Sequence, residues 1–154
     1  MPSWTDTLTA QVDLAAERAL AEQDVAAHSP TFGCFDRRYW AWKLVDFPEA
    51  TFQRLVLPLA RLYHNPRSRW HASPGVLQAV RAGLSCAVRL QHPNGSYDQA
   101  FPFEQGYGPT AFLLFPLIEA TRLVGPSLEA AERDAVMRSA RTAAWPPSAP
   151  TPAS

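Results

Sequence analysis

Gln91-His92-Pro93-Asn94-Gly95-Ser96-Tyr97-Asp98 is the stretch whose reading decides the fold. Asn94-Gly95 joins the two residue types that adopt positive φ most cheaply, so a tight turn is expected there. Between strands it would mark a hairpin, but both flanks carry the helical period. Upstream, Ser73-Pro74 reads as a helix cap followed by a first-turn proline, and Leu77, Val80, Leu84, Ala87 and Val88 mark one buried face as far as Leu90. Downstream, residues 109–123 are apolar almost all round, through Ala111, Phe112, Leu113, Leu114, Phe115, Leu117 and Ile118. Such a helix is either surrounded by others or faces an absent partner. A glutamine amide at a helix end can satisfy orphan backbone groups, while an aromatic ring two residues past the glycine packs between neighbouring helices.

Outward from this segment the helical period continues, and no strand is expected. Residues 6–27 carry an imperfect apolar stripe at Leu8, Val12, Ala15, Leu20 and Val25. Pro30 and Gly33 then predict a loop, with a short helical turn at Tyr39-Trp40-Ala41-Trp42. Asp46-Phe47-Pro48-Glu49 has the pattern of a capped helix start, followed by a core face at Phe52, Leu55, Val56, Leu59, Leu62 and Tyr63. Pro58 within that pattern predicts a kink. Gly125-Pro126 stops the fourth helix, and Ser127 is expected to begin a more polar fifth one through Arg141. After Trp145 the chain runs Pro-Pro-Ser-Ala-Pro-Thr-Pro-Ala-Ser, a composition that predicts disorder over 146–154.

Composition narrows the classes. The chain has 154 residues with 14 basic and 14 acidic side chains, hence zero formal net charge, and nucleic acid is not an expected partner. One helical domain is expected over 1–145. The run Ala111–Ala120 contains Pro116 and Glu119 and falls short of a membrane span, and the N-terminus lacks the pattern of a secretory signal, so a cytoplasmic location is expected. Cys34 and Cys86 have no partner at metal-knuckle or redox spacing and read as buried free thiols, and neither a metal nor a cofactor is expected.

The string Gln91…Gly95-Ser96-Tyr97 resembles the Gln…Gly-x-aromatic element of the α/α-toroid superfamily, which includes terpenoid cyclases and protein prenyltransferases. The wider pattern, Asp36-Arg37-Arg38-Tyr39-Trp40 with Lys43 and Asp46-Phe47-Pro48, then Pro102-Phe103-Glu104 and Thr110-Ala111-Phe112, is similar to the N-terminal portion of bacterial prenyltransferase-like or heparinase II/III-like proteins. The resemblance spans 34–125 and implies an all-α fold of antiparallel helical hairpins forming a partial α/α toroid. It also implies a carbohydrate or isoprenoid ligand for the intact ring. Five helices supply less than half of such a ring. The expectation is therefore a domain without catalysis of its own, either the N-terminal part of a larger protein or a structural module completed by forming a homo-oligomer. No Asp-rich acid motif or diphosphate-binding Asp-Asp-x-x-Asp is present.

Candidate residues follow from chemistry. Asp36, Arg37 and Tyr39, with Trp40, Trp42 and Lys43, combine charges with aromatic faces, as sugar-binding sites do; the same residues suit a helix start with ion pairs and core tryptophans. Asp98 and Glu104 are candidate paired carboxylates at a toroid mouth, or alternatively helix caps. Tyr107 is a candidate ligand contact, and His92, before a proline in a turn, is expected to be solvated.

Overall fold

The computed structural model describes residues 3–36 and 47–144. Ser3 opens helix α1 (Trp4–Glu22) with a capping box: its hydroxyl accepts from the Asp6 N–H at 3.2 Å, and the Asp6 carboxylate accepts from the Ser3 N–H at 3.2 Å. The helix ends five residues earlier than its periodicity suggests, because Gln23 is extended (φ −72°, ψ 135°) and turns its side chain to other work.

A 3₁₀ helix, Ala50–Leu55, runs into α2 (Val56–His64). The sequence predicts a capped α-helix beginning near 46–49. Asp46 lies outside the described residues, and the Glu49 side chain caps nothing, accepting instead from the Thr51 hydroxyl. Pro58 stands just after the point where the 3₁₀ helix gives way to α2. It is the third residue of α2, in the first turn after the 3₁₀ helix, a position that proline tolerates.

Helix α3 (Pro74–Leu90) begins where Ser73-Pro74 places it, although Ser73 caps through its carbonyl to the Leu77 N–H at 3.0 Å and not through its hydroxyl. Helix α4 (Tyr107–Val124) starts two residues before its expected limit. A short 3₁₀ turn, Gly125–Ser127, then delays α5 (Ala130–Ala144), because Pro126 rigidifies the link and the Arg133 guanidinium holds the Gly125 and Leu128 carbonyls at 3.1 and 3.3 Å. The architecture of the described residues is thus all-α, with Tyr97 and Gly106 forming an isolated antiparallel bridge.

Helices α2, α3 and α4 surround the core, with α5 against α3 and α4. Val56, Leu59, Val76, Val80, Leu113, Leu117 and Val124 are all at most 2% exposed. Burial of each such side chain stabilises the fold by about 1.5–3 kcal/mol relative to exposure. Helix α1 contributes little of this. Its buried residues are Asp13, Ala16 and Ala19, and it is tied down by polar contacts: Asp13 accepts from the Ser68 hydroxyl at 2.5 Å and the Arg69 N–H at 3.2 Å, while its carbonyl accepts from Trp70 Nε1 at 3.0 Å. Cys34 and Cys86 are both buried, and neither forms a disulfide. No helix among the described residues is long and apolar enough to cross a membrane.

Candidate functional site

The chemistry-bearing residues converge on the loop after α3. Gln91 follows the last residue of α3 in an extended conformation (φ −71°, ψ 130°), which aims its side chain back across the turn. Its Nε2 donates to the Gly95 carbonyl at 3.0 Å and to the Ser139 carbonyl of α5 at 2.9 Å. Gly95 has φ +88°, and a Cβ there would stand 2.3 Å from the Thr142 carbonyl oxygen, so only glycine allows the turn to touch α5. Tyr97 is 1% exposed; its hydroxyl lies 3.0 Å from Ser139 Oγ, and its N–H donates to Thr110 Oγ1 at 3.0 Å. Burial pushes the Tyr97 hydroxyl above the usual phenol range, against the opposing bond to Ser139.

The same device occurs after α1, where the sequence reading missed it. Gln23 Nε2 donates to the Gly33 carbonyl at 3.0 Å and to the Ala79 carbonyl of α3 at 2.9 Å. Gly33 has φ +90°, and a Cβ there would meet the Ala82 carbonyl at 2.2 Å. Ala82 lies three residues beyond Ala79, as Thr142 lies three beyond Ser139. In both turns the residue after the glutamine exchanges main-chain hydrogen bonds around the glycine: Asp24 N–H to Cys34 and Gly33 N–H to Asp24 (both 2.8 Å), His92 N–H to Ser96 (2.9 Å) and Gly95 N–H to His92 (2.8 Å). Phe35 stands for Tyr97, fully buried, with its N–H 3.3 Å from Gln53 Oε1. Gln53 then donates to the carbonyl four residues back, Glu49, at 3.0 Å, just as the Thr110 hydroxyl donates to Gly106 at 2.8 Å. The chain therefore repeats a unit of helix, Gln…Gly-x-aromatic-Asp turn and second helix, and each turn locks onto the next odd-numbered helix. Nine residues separate Gln23 from Gly33, against three in the second turn, and this inequality hides the repeat from inspection by spacing. The signal that reveals it is the pair Gly33-Cys34-Phe35-Asp36 and Gly95-Ser96-Tyr97-Asp98.

The candidate carboxylates complete these turns. Asp36 is 1% exposed and its Oδ2 accepts from the Glu49 N–H at 2.7 Å. Asp98 accepts from the N–H groups of Phe103 and Gln105 at 2.9 and 2.8 Å. Those are two of the described non-glycine residues with positive φ, +64° and +50°, so the carboxylate holds the chain in a left-handed course. Glu104 Oε2 accepts from Gln99 and Ala100 N–H at 3.1 and 2.8 Å, with Phe101 N–H farther out at 3.5 Å.

Both shifts run downward. Burial opposes ionisation of Asp98, but the Gln105 amide, the His92 ring and the Phe103 amide outweigh it and hold the carboxyl below its ordinary value. The Ala100 and Gln99 amides do the same for Glu104. A general acid working near neutrality needs a raised value, so neither carboxyl is tuned for that role. His92 is not solvated as its sequence context suggests. Its side chain is 18% exposed, with Nε2 2.9 Å from Asp98 Oδ2 but poorly aligned for a hydrogen bond, and the Phe103 ring centroid 6.2 Å away. Tyr107 is exposed on the first turn of α4. Arg37, Tyr39, Trp40, Trp42 and Lys43 lie outside the described residues, whereas Asp36, Asp98, Glu104 and Tyr107 lie within them. Among the described residues no three His, Cys, Asp or Glu side chains group as metal ligands do.

No protein-family model matches the chain, and no curated protein or solved structure matches it significantly. The repeated turn is thus the firmest guide to what the chain does.

Proposed function

We propose that the chain is a non-catalytic helical-repeat module of α/α-toroid type, a scaffold whose Gln…Gly-x-aromatic-Asp turns lock each helical pair to the next. The observation that carries this reading is the duplication: two turns with the same glutamine donor, carbonyl acceptors and glycine contacts, the first seated on α3 and the second on α5. Asp36, Asp98 and Glu104 spend their oxygens on main-chain N–H groups, which is work for a scaffold.

Grafting His92-Pro93-Asn94 in place of residues 24–32 tests the equivalence of the two turns. The chimera keeps its helical signal and a cooperative melt if they are equivalent, and loses both if the first turn is an unrelated loop. Activity gives the second arm. The chain is expected to turn over neither uronate polysaccharides nor isoprenoid diphosphates, and turnover abolished by Asp98→Asn would overturn the non-catalytic reading.

A further inference from the structure

Among the described residues a cleft of about 310 Å³ lies between α3 and α5, walled by Arg81, Leu84 and Val88 on one side and Leu128, Ala135 and Val136 on the other. The internal repeat says what chemistry such a cleft takes. Matching Gln23 with Gln91 sets Asp13 and Leu20 on Arg81 and Val88, and matching Ala79 with Ser139 sets Trp70 and Val76 on Ala130 and Val136. Burial agrees with this register: Leu20 and Val88 are both half-buried, and Val76 and Val136 are 0% and 3% exposed. In the first unit the indole of Trp70 stands among these positions. Its Nε1 donates to the Asp13 carbonyl at 3.0 Å, and Trp70 lies with Leu20 and Val76 along the groove between α1 and α3. The counterparts of those three neighbours, Arg81, Val88 and Val136, all wall the second cleft, but Ala130 brings only a methyl group where the first unit has an indole.

We infer that the cleft between α3 and α5 binds a free, neutral heteroaromatic molecule of the indole class, in the place that the Trp70 ring holds in the first unit; the inference rests on the repeat reading above. Its volume is at the lower end of the range for ligand pockets and suits one small fused-ring system. The walls beside that ring are aliphatic, as Leu20 and Val76 are beside Trp70. A ring N–H also has its acceptor: the Arg81 carbonyl stands in the register of the Asp13 carbonyl that receives the Trp70 N–H, and a helical carbonyl keeps a second lone pair. Charge selects a neutral ligand. The Arg81 guanidinium gives both Nε and a terminal nitrogen to Glu132 Oε1 at 2.9 Å, and the Arg89 guanidinium is held by the Ser85 hydroxyl and the Phe32 carbonyl. A charged ligand would have to break one of these contacts, whereas a neutral ring leaves them intact.

Isothermal titration calorimetry of the full chain with indole tests this. Binding of a single indole is expected with a Kd of about 0.1–1 mM, and 1-methylindole, which lacks the N–H, should bind several-fold more weakly. Ala135→Phe puts a ring of the chain's own into the cleft and should weaken indole binding about tenfold or more, while its circular dichroism melt stays cooperative. Trp70→Ala opens the counterpart in the first unit. It should bind a second indole, and indole should raise its melting temperature more than the parent's. A parent chain that binds no indole overturns the inference, as does binding that Ala135→Phe leaves unchanged, or a Trp70→Ala variant with no second site. Tighter binding of N-acetyltryptophanamide than of indole also overturns it, by assigning the cleft to a tryptophan of a partner protein. None of those results alters the fold of the grafted-turn chimera, which fails only if the repeat reading itself is wrong.

Discussion

A methyl group on Gly95 would press against the Thr142 carbonyl while forcing alanine into a left-handed conformation. Gly95→Ala should therefore cost about 3 kcal/mol or more in urea unfolding, and Gly33→Ala should cost a similar amount. Gln91→Ala strips a donor from two carbonyls and is expected to cost about 1–3 kcal/mol, with Gln23→Ala matching it. A large effect at 91 and none at 23 would mean that the two turns are not energetic equivalents. Acid sharpens the role of Asp98. Its folded value is depressed, so its contribution is complete above the ordinary carboxylate range near 4 and disappears as the pH falls through the lower folded value. Asp98→Asn should flatten the acid limb of the stability profile below about pH 4 while changing its shape little above pH 6. An unchanged limb would assign acid sensitivity to other groups. The second turn was legible because Asn94-Gly95 announces φ > 0 and sits between two clear helical periods. The first was not, since Gly33 is far from Gln23 in sequence and its partner carbonyls on Ala79 and Ala82 are supplied by a tertiary contact.

Elements were legible where propensity and packing agree. The Ser73-Pro74 start and the Gly125-Pro126 stop hold because proline's missing N–H and fixed φ act locally, whatever the rest of the molecule does. The 46–64 region was harder, because the same apolar spacing fits a 3₁₀ turn followed by a short α-helix, and Gln53 is drawn into the turn before it by Phe35. Pro58 gives this a measurable consequence. In the middle of an α-helix its replacement would restore an i→i−4 hydrogen bond, but in the first turn of α2 the residue four back, Arg54, still belongs to the 3₁₀ helix. Pro58→Ala should thus move the unfolding free energy by less than about 1 kcal/mol. A gain near 3 kcal/mol would show that the helix runs through this point. The near-uniform apolarity of α4 posed the opposite problem: the sequence reads it as surrounded or awaiting cover, and the fold buries Leu113 and Leu117 while leaving Phe112 and Phe115 outside.

At the scale of the whole molecule the two units are unequally secured, and that inequality can be measured. The core side chains of α2, α3 and α4 bury each other, whereas α1 brings only small or polar residues to full burial and depends on Asp13 and Gln23 for its attachment. A helix held by few apolar contacts opens before the rest of the protein does. Amides of α1 are therefore expected to exchange with solvent deuterium faster than those of α3 and α4. Asp13→Ala removes the acceptor of the Ser68 hydroxyl and the Arg69 N–H but leaves the Asp13 carbonyl, and with it the Trp70 Nε1 bond, in place. The loss of about 1–3 kcal/mol should reduce protection in α1 by roughly 5- to 150-fold, with α3 and α4 unchanged. A fall of equal size in every helix would instead mean that α1 opens only when the whole core does. In that case the polar clamp around Asp13 would belong to the same cooperative unit as the two glutamine turns, and the repeat would unfold as one body despite its weakly buried first helix.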